Sequence, residues 1–117
     1  SDINTVHVHL DESTRNLIGH REFGLMKKSS YFLNTARGGV VDEEALIDAL
    51  ENNLIYSAAV DVISGEQEEG ISSHPLIQYS KNTKKLLITP HIAGATVDSQ
   101  YKAFKFALDK VDDFFNL

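Results

Sequence analysis

The chain has 117 residues, of which 42% are hydrophobic and 24% charged, an ordinary balance for one globular domain. The net charge of −6, with 11 lysines and arginines that form no stripe, argues against nucleic-acid binding, and the lack of cysteine excludes disulfides and cysteine-based metal sites. No segment is apolar over the length of a membrane span and no signal peptide opens the chain, so we expect a cytoplasmic protein without a membrane partner.

The first part of the chain predicts a strand, a loop and a short helix. Polar and apolar residues alternate over Thr5–Leu10, which is typical of a half-buried strand. Residues 11–16 are polar, and apolar side chains spaced three apart predict a short helix over His20–Met26. His7 and His9 share one face of the strand, which would suit two metal ligands. No further ligand is evident nearby, so ordinary strand histidines are the favoured interpretation.

The middle of the chain predicts two strands separated by a helix. Ser30–Asn34 has strand character and is followed by Arg37 and a Gly-Gly pair, at which the backbone turns without a Cβ penalty. Asp42 can cap a helix over Glu43–Asn52, whose acidic first turn suits the helix dipole. Ser57–Val62 is a short run of small and apolar residues, as in a buried strand.

The last third predicts a long loop, a strand and a long helix. Ile63–Lys85 is polar and glycine-containing, so we predict a functional or disordered loop. Leu86–Thr89 is a short apolar strand ended by Pro90, and Thr96 can cap the final helix. Apolar residues recur there at spacings of three and four, which predicts core or interdomain packing. This apolar seam comprises Val97, Tyr101, Phe104, Leu108, Val111 and Phe115.

The alternation of strands with helices and loops predicts an α/β fold with a parallel sheet. Arg37, Asp61 and His91 would then follow the carboxyl ends of three successive strands, the edge at which open α/β sheets bind ligands. Arginine offers a rigid fork to a carboxylate or phosphate. A carboxylate beside a histidine orients it for proton transfer. The set suits a reaction on an anionic substrate in which a proton moves to or from oxygen.

Three motifs make the sequence recognisable. Asn34–Asp42, Ala59–Val62 and Thr89–Thr96 resemble, in order and spacing, the D-isomer-specific 2-hydroxyacid dehydrogenases, which include phosphoglycerate, glycerate, D-lactate and formate dehydrogenases. The similarity covers essentially the whole chain. It implies a Rossmann-like doubly wound sheet, a three-layer α/β/α architecture, NAD as cofactor and a small 2-hydroxy or 2-oxo acid as substrate. It also suggests a homodimer.

The resemblance also implies residue roles. Arg37 matches the arginine that binds the substrate carboxylate, and His91 matches the acid/base that protonates the carbonyl oxygen as hydride arrives. Glu66 lies where the family keeps the acid that pairs with this histidine. Asp61 matches the carboxylate that binds the nicotinamide carboxamide. The resemblance assigns seven positions to the cofactor site: Val8, Thr35, Ala36, Arg37, Asp61, His91 and Gly94.

Some positions depart from the family pattern. Ile63 stands where the family has an aromatic residue, Gln67 stands where it has proline, and the stretch from Glu66 to His91 is longer than usual. Glu68 or Glu69 could replace Glu66 as the partner of the histidine. A dehydrogenase-like NAD(H)-binding sensor or corepressor without catalysis therefore remains an alternative.

No Gly-x-Gly-x-x-Gly motif occurs in the chain. We therefore expect residues 1–117 to be the second half of an NAD-binding domain, with residues 96–117 forming a helix that leads back toward an absent substrate domain. Such a fragment would expose an apolar sheet edge and an uncovered sheet face, and it would have no useful turnover alone. The substrate side chain and the choice between NAD and NADP depend on absent residues.

Overall fold

The computed structural model describes residues 1–67 and 69–115. Its centre is a four-stranded parallel sheet, as the alternating pattern predicted, and the strands lie side by side in chain order. The strands are β1 (Ile3–Val6), β2 (Tyr31–Asn34), β3 (Ser57–Val60) and β4 (Leu86–Ile88). The helices are α1 (His20–Gly24), α2 (Glu43–Glu51), α3 (Pro75–Lys81) and α4 (Val97–Phe115). The fold is α/β, as predicted.

The hydrophobic core lies between one face of the sheet and the layer formed by α1, α2 and α3. Phe23 of α1 packs edge-on against Phe32 of β2, with ring centroids 5.1 Å apart. Leu46 and Leu50 of α2 and Leu76 of α3 are buried in the same cluster. Because each such side chain contributes about 1.5–3 kcal/mol on burial, this cluster holds the sheet and the three helices together.

Helix α2 begins where the sequence predicted. The Oδ1 atom of Asp42 accepts a hydrogen bond of 3.1 Å from the backbone N–H of Ala45, so Asp42 is the N-cap. Glu43 and Glu44 follow in the first turn, near the positive end of the helix dipole. Helix α2 is the crossover between the directly paired strands β2 and β3, and it begins immediately after the loop that carries Arg37.

The opposite face of the sheet is uncovered by the described residues, as expected for half of a doubly wound sheet. Ile3, Tyr31 and Leu87 point to this side and are 60%, 47% and 61% exposed. Tyr31 packs edge-on against Tyr56, itself exposed, with ring centroids 5.3 Å apart. Strand β1 lies at one edge of the sheet and β4 at the other. A third layer would have to come from outside these residues.

The predicted bounds of the first strand are wrong. The strand runs over Ile3–Val6 rather than Thr5–Leu10, because β1 pairs with β2 from Tyr31 to Asn34 and the ladder ends where β2 turns into the arginine loop. Residues 7–10 have no partner strand in the described part of the chain. Polar and apolar residues continue to alternate over residues 7–10, but a strand also needs a neighbouring strand with which to form hydrogen bonds.

The segment predicted as a loop over Ile63–Lys85 is also corrected. It contains a 3₁₀ turn at Ile71–Ser73 and helix α3, whose Leu76 is buried against the sheet. His74 caps this helix and Pro75 occupies its first position, which is a recognised signal for a helix start. The loop prediction was wrong because it rested on the polar composition of the segment and gave this signal too little weight.

Helix α4 begins at Val97 as predicted, and the Oγ1 atom of Thr96 accepts a 3.1 Å hydrogen bond from the N–H of Ser99. No residue of α4 is buried. Of the two alternatives predicted for its apolar seam, packing in the core of this chain is therefore excluded, whereas packing against another domain stays a prediction. In the described part of the chain, no helix has the length and apolar character required to cross a membrane.

Candidate active site

Three strand ends meet at one edge of the sheet. Asn34, Val60 and Ile88 are aligned across β2, β3 and β4, so the segments that follow these residues leave the sheet side by side. Arg37 lies three residues after β2, Asp61 directly after β3 and His91 three residues after β4. Parallel pairing therefore places the predicted polar residues at the ligand-binding edge of an α/β sheet.

The arginine loop is fixed by the side chain of Asn34, which is 1% exposed. Its Oδ1 atom accepts a 3.0 Å hydrogen bond from the N–H of Ala36, and its Nδ2 atom donates a 2.9 Å hydrogen bond to the carbonyl of Arg37. Both polar ends of the buried amide are thus satisfied by the backbone that it shapes. The Arg37 side chain is exposed, and its Nη1 donates to the carbonyl of Ala36 at 2.6 Å.

Asp61 joins the ends of β3 and β4. Its Oδ1 atom accepts hydrogen bonds from the hydroxyl of Thr89 and, at 3.2 Å, from the backbone N–H of His91. The Oδ2 atom has no hydrogen-bond partner among the described residues, and the side chain is half-buried. Asp61 therefore holds in place the segment after β4 that carries His91, and its Oδ2 atom can accept a hydrogen bond from a bound molecule.

Glu66 pairs with His91. The Oε1 atom of Glu66 lies 2.7 Å from Nδ1 of His91, and Oε2 accepts a 3.4 Å hydrogen bond from the N–H of Ile63. The two side chains are 28% and 42% exposed. With Nδ1 directed at the carboxylate, Nε2 is the atom that faces away and can exchange a proton with a bound molecule. Of the three candidate acids, Glu68 lies outside the described residues.

The backbone of His91 is in the left-handed region, with a φ of 52°. This conformation is uncommon for a residue other than glycine and costs on the order of 1 kcal/mol or more. The contacts that Asp61 makes with the N–H of His91 and with Thr89 hold it there. The strained residue is the one for which acid/base chemistry was predicted.

The remaining predicted cofactor residues lie along the same edge. Val8, 40% exposed, follows β1, and exposed Thr35 comes directly after β2. Ala36 is buried beside Asn34, and Gly94 lies in an exposed 3₁₀ turn at Ala93–Ala95.

The two early histidines do not form part of a metal centre in the described chain. Both follow the end of β1, and Nε2 of His7 lies 2.9 Å from the hydroxyl of Thr5. Among residues 1–67 and 69–115, no group of three or more His, Asp or Glu side chains is arranged to hold a metal ion.

Sequence reasoning missed a second acid–histidine pair. Nε2 of His74 lies 3.3 Å from Oε2 of Glu43, and Oε1 of Glu43 accepts a 2.8 Å hydrogen bond from the N–H of Ser64. Burial raises the pKa of Glu43 above its ordinary value, and the hydrogen bonds from Ser64 and His74 act in the opposite direction. The His-Pro start signal of α3 was visible in the sequence, but its contact with α2 was not.

Comparison with known families agrees with this geometry. Residues 1–93 match the family model of the D-isomer specific 2-hydroxyacid dehydrogenase, NAD binding domain. The chain belongs to this family. The resemblance first noticed in three short motifs is confirmed, and the matched segment contains the arginine loop, Asp61, Glu66 and His91.

Relatives in this dehydrogenase family are much longer. A glyoxylate reductase from Thermofilum pendens is 41% identical over 107 residues, which cover 92% of this chain and 30% of that protein. The D-lactate dehydrogenase of Lactobacillus jensenii, solved with NAD+, has a TM-score of 0.82 and 30% identity, covering 93% of this chain and 35% of that one.

A further solved relative is the NAD-complexed D-isomer specific 2-hydroxyacid dehydrogenase of Lactobacillus delbrueckii ssp. bulgaricus. It has a TM-score of 0.81 and 33% identity and covers 99% of this chain and 38% of that one. The chain thus spans about a third of the length of these relatives. Their structures confirm the predicted Rossmann-like fold, and the family assignment makes NAD the cofactor of this domain.

Proposed function

We propose that residues 1–117 are the second half of the NAD-binding domain of a dehydrogenase that interconverts a D-2-hydroxy acid and a 2-oxo acid. The observation that carries the proposal is the 2.7 Å contact between Glu66 and His91, at the same sheet edge as Arg37. An oriented imidazole and an exposed guanidinium at one sheet edge would supply a proton and an anion-binding group to one substrate.

Each of the three side chains has a separate role in the proposed reaction. The exposed guanidinium of Arg37 binds the substrate carboxylate and orients the adjacent carbonyl. His91, protonated, gives the proton on Nε2 to the carbonyl oxygen during reduction and takes it back during oxidation. Glu66 fixes the ring through Nδ1, so that Nε2 is the atom directed at substrate.

The residues at this edge fit a nicotinamide cofactor. The Oδ2 atom of Asp61 is an acceptor without a partner among the described residues, which suits the N–H donors of a carboxamide. Val8, Thr35, Ala36 and Gly94 would line the same site, together with Arg37 and His91. When bound, NADH supplies the hydride that adds to the carbonyl carbon.

The substrate is proposed to be a small 2-oxo acid. Glyoxylate reductase, D-lactate dehydrogenase and D-mandelate dehydrogenase are the names of three matched relatives, which supports a small 2-oxo or 2-hydroxy acid but not one particular side chain. A phosphoglycerate dehydrogenase-like specificity remains part of the proposal as an alternative. A homodimer in the cytoplasm is likewise proposed, by analogy with the family.

The sensor alternative loses its main support. It rested on the altered sequence after Asp61, which left the acid partner of the histidine in doubt. Glu66 contacts His91 although Ile63 and Gln67 depart from the family pattern. This contact favours a catalytic acid–histidine pair over a cofactor-binding site without catalytic activity.

The test is NADH oxidation by the full-length protein that contains this chain. The substrates are glyoxylate, hydroxypyruvate, pyruvate and 3-phosphohydroxypyruvate. We expect turnover with at least one acid, and a fall in kcat/KM of about 10²-fold or more in Arg37→Ala, because the substrate carboxylate loses a charged partner. Arg21→Ala is the matched control, since Arg21 is 86% exposed on α1. It should leave the rate unchanged.

The 117-residue chain alone is assayed beside the full-length protein and should give no measurable turnover. It lacks a Gly-x-Gly-x-x-Gly segment to hold the pyrophosphate, and hydride transfer requires the nicotinamide in near-attack geometry. Tight NADH binding by the full-length protein without oxidation of NADH by any acid would contradict the enzymatic proposal and favour the sensor.

A further inference from the structure

Glu43 and His74 form a polar pair enclosed between α2, α3 and the loop after β3. Glu43 is the first residue of α2, and His74 is the N-cap of α3. Their side chains are 16% and 15% exposed, and Oε2 of Glu43 lies 3.3 Å from Nε2 of His74. Enclosed polar groups are costly unless each is satisfied, so this pair must have partners that compensate for its desolvation.

The hydrogen bonds define the protonation of His74. Its Nδ1 atom accepts a 3.3 Å hydrogen bond from the backbone N–H of Leu76 and therefore carries no proton. The ring hydrogen is then on Nε2, where it is donated to Glu43. Capping of α3 thus selects the tautomer that can bind the carboxylate, and the carboxylate in turn holds the cap in place.

The other oxygen of Glu43 reaches the loop that carries Glu66. Oε1 accepts a 2.8 Å hydrogen bond from the N–H of Ser64, two residues before Glu66. The same peptide is in close contact with Gly38, at which an added Cβ would lie 2.1 Å from the carbonyl carbon of Ile63. Glu43 therefore joins α2, α3 and the peptide against which the arginine loop rests.

We propose that Glu43, held by His74, is a positioning residue for the Glu66–His91 pair. Its carboxylate fixes the Ser64 peptide, and this peptide fixes where the carboxylate of Glu66 meets the imidazole of His91. Neither Glu43 nor His74 touches substrate in this proposal. The inference rests on the proposed function, because it assigns these residues a part in that reaction.

The test is a double-mutant cycle in the full-length protein, with NADH and its best 2-oxo acid. Glu43→Leu removes both acceptor atoms and should lower kcat about tenfold, with less than a twofold change in KM for the acid. In a Glu66→Gln background the same substitution should change kcat by less than about twofold, because the group that it positions is already gone.

Two further variants sharpen the result. Glu43→Gln keeps an oxygen that can accept from Ser64 but turns an N–H donor toward the donor atom of His74. Its kcat should therefore be higher than that of Glu43→Leu and about threefold lower than that of the unsubstituted protein. If Glu43→Leu does not fold, Glu43→Gln carries the cycle instead, with that smaller drop vanishing in the Glu66→Gln background. Glu44→Leu, exposed in the same helical turn, is the matched control and should retain full activity.

An equal loss of kcat in both backgrounds would show that Glu43 acts only on general stability, and the proposal would be overturned. An unchanged kcat in Glu43→Leu or Glu43→Gln would overturn it as well. Either result leaves the proposed function intact if the unsubstituted protein turns over and Arg37→Ala lowers kcat/KM by about 10²-fold or more. Absence of turnover in the unsubstituted protein is a failure of the proposed function itself.

Discussion

Gly38 is under a severe steric constraint in the candidate site. A Cβ at this position would lie 2.1 Å from the carbonyl carbon of Ile63 and 2.2 Å from the nitrogen of Ser64. Both neighbours are backbone atoms, which have little freedom to move away. The glycine is needed for a close approach of two loops, one of which carries Arg37 and the other Glu66.

Gly38→Ala should therefore destabilise the full-length protein by about 2 kcal/mol or more and reduce NADH oxidation, since one of the two loops must move. The matched control is Gly24→Ala at the end of α1, where an added Cβ meets no atom within 4 Å. Thermal unfolding followed by circular dichroism compares the two. Equal melting temperatures for both variants would contradict the close approach.

Helix α2 is the element that organises the site, although none of its residues is proposed to touch substrate. Its N-terminus carries the cap residue Asp42 and then Glu43, so one helical turn anchors both the helix and the loop at Ser64. Its inner side contributes Leu46 and Leu50 to the core. A shift of α2 along the sheet would therefore move the Glu66 loop with it.

Asp42→Ala should cost about 1 kcal/mol of stability, because the N–H of Ala45 loses its acceptor at the helix N-terminus. The control is Asp48→Ala in the same helix. The Asp48 side chain is 56% exposed, and its Oδ2 atom lies 3.8 Å from Nδ1 of His20 in a surface pair. This control should change stability by less than about 0.5 kcal/mol. Both are measured by thermal unfolding of the full-length protein, and a larger loss in the control would disprove the capping role.

As a whole, the sheet has one face that is well packed and one face that residues 1–67 and 69–115 leave bare. The helices α1 to α3 cover one sheet face, whereas Ile3, Tyr31 and Leu87 on the other are exposed. Helix α4 adds an apolar seam without a buried residue, and the longest dimension of the chain is 58 Å. Apolar patches of this kind mark surfaces that other protein normally covers.

The isolated 117-residue chain should therefore self-associate, because burial of the bare face and of the edge strand β1 away from water lowers the free energy of the associated state. Light scattering over a range of concentrations measures the mass. Leu87→Glu, on the bare face, should shift the distribution toward monomer, whereas Leu25→Glu, at a position that is 78% exposed beside α1, should not. A stable monomer of the unsubstituted chain at every concentration would count against this prediction.

Much of the architecture was predictable because it is encoded locally. The strand before Asn34, the cap at Asp42, the start of α4 and the three family motifs each depend on residues close together in the chain, so periodicity and capping rules reveal them. Parallel order then placed Arg37, Asp61 and His91 at one edge. The end of β1 escaped prediction because it depends on where the partner strand turns away.

The family resemblance offered Glu66 as the partner of His91, with Glu68 or Glu69 as alternatives, and only the tertiary structure showed which groups meet. The contact of Glu66 with His91 joins residues 25 apart, and that of Glu43 with Ser64 joins residues 21 apart. Such contacts depend on the paths of two loops and on the packing of α2 against α3, which no local pattern contains. By itself, the sequence determined the family, the fold and the chemical types at the site. Burial and packing decided the partner of each acid, because a half-buried carboxylate must find its donors wherever the folded backbone brings them.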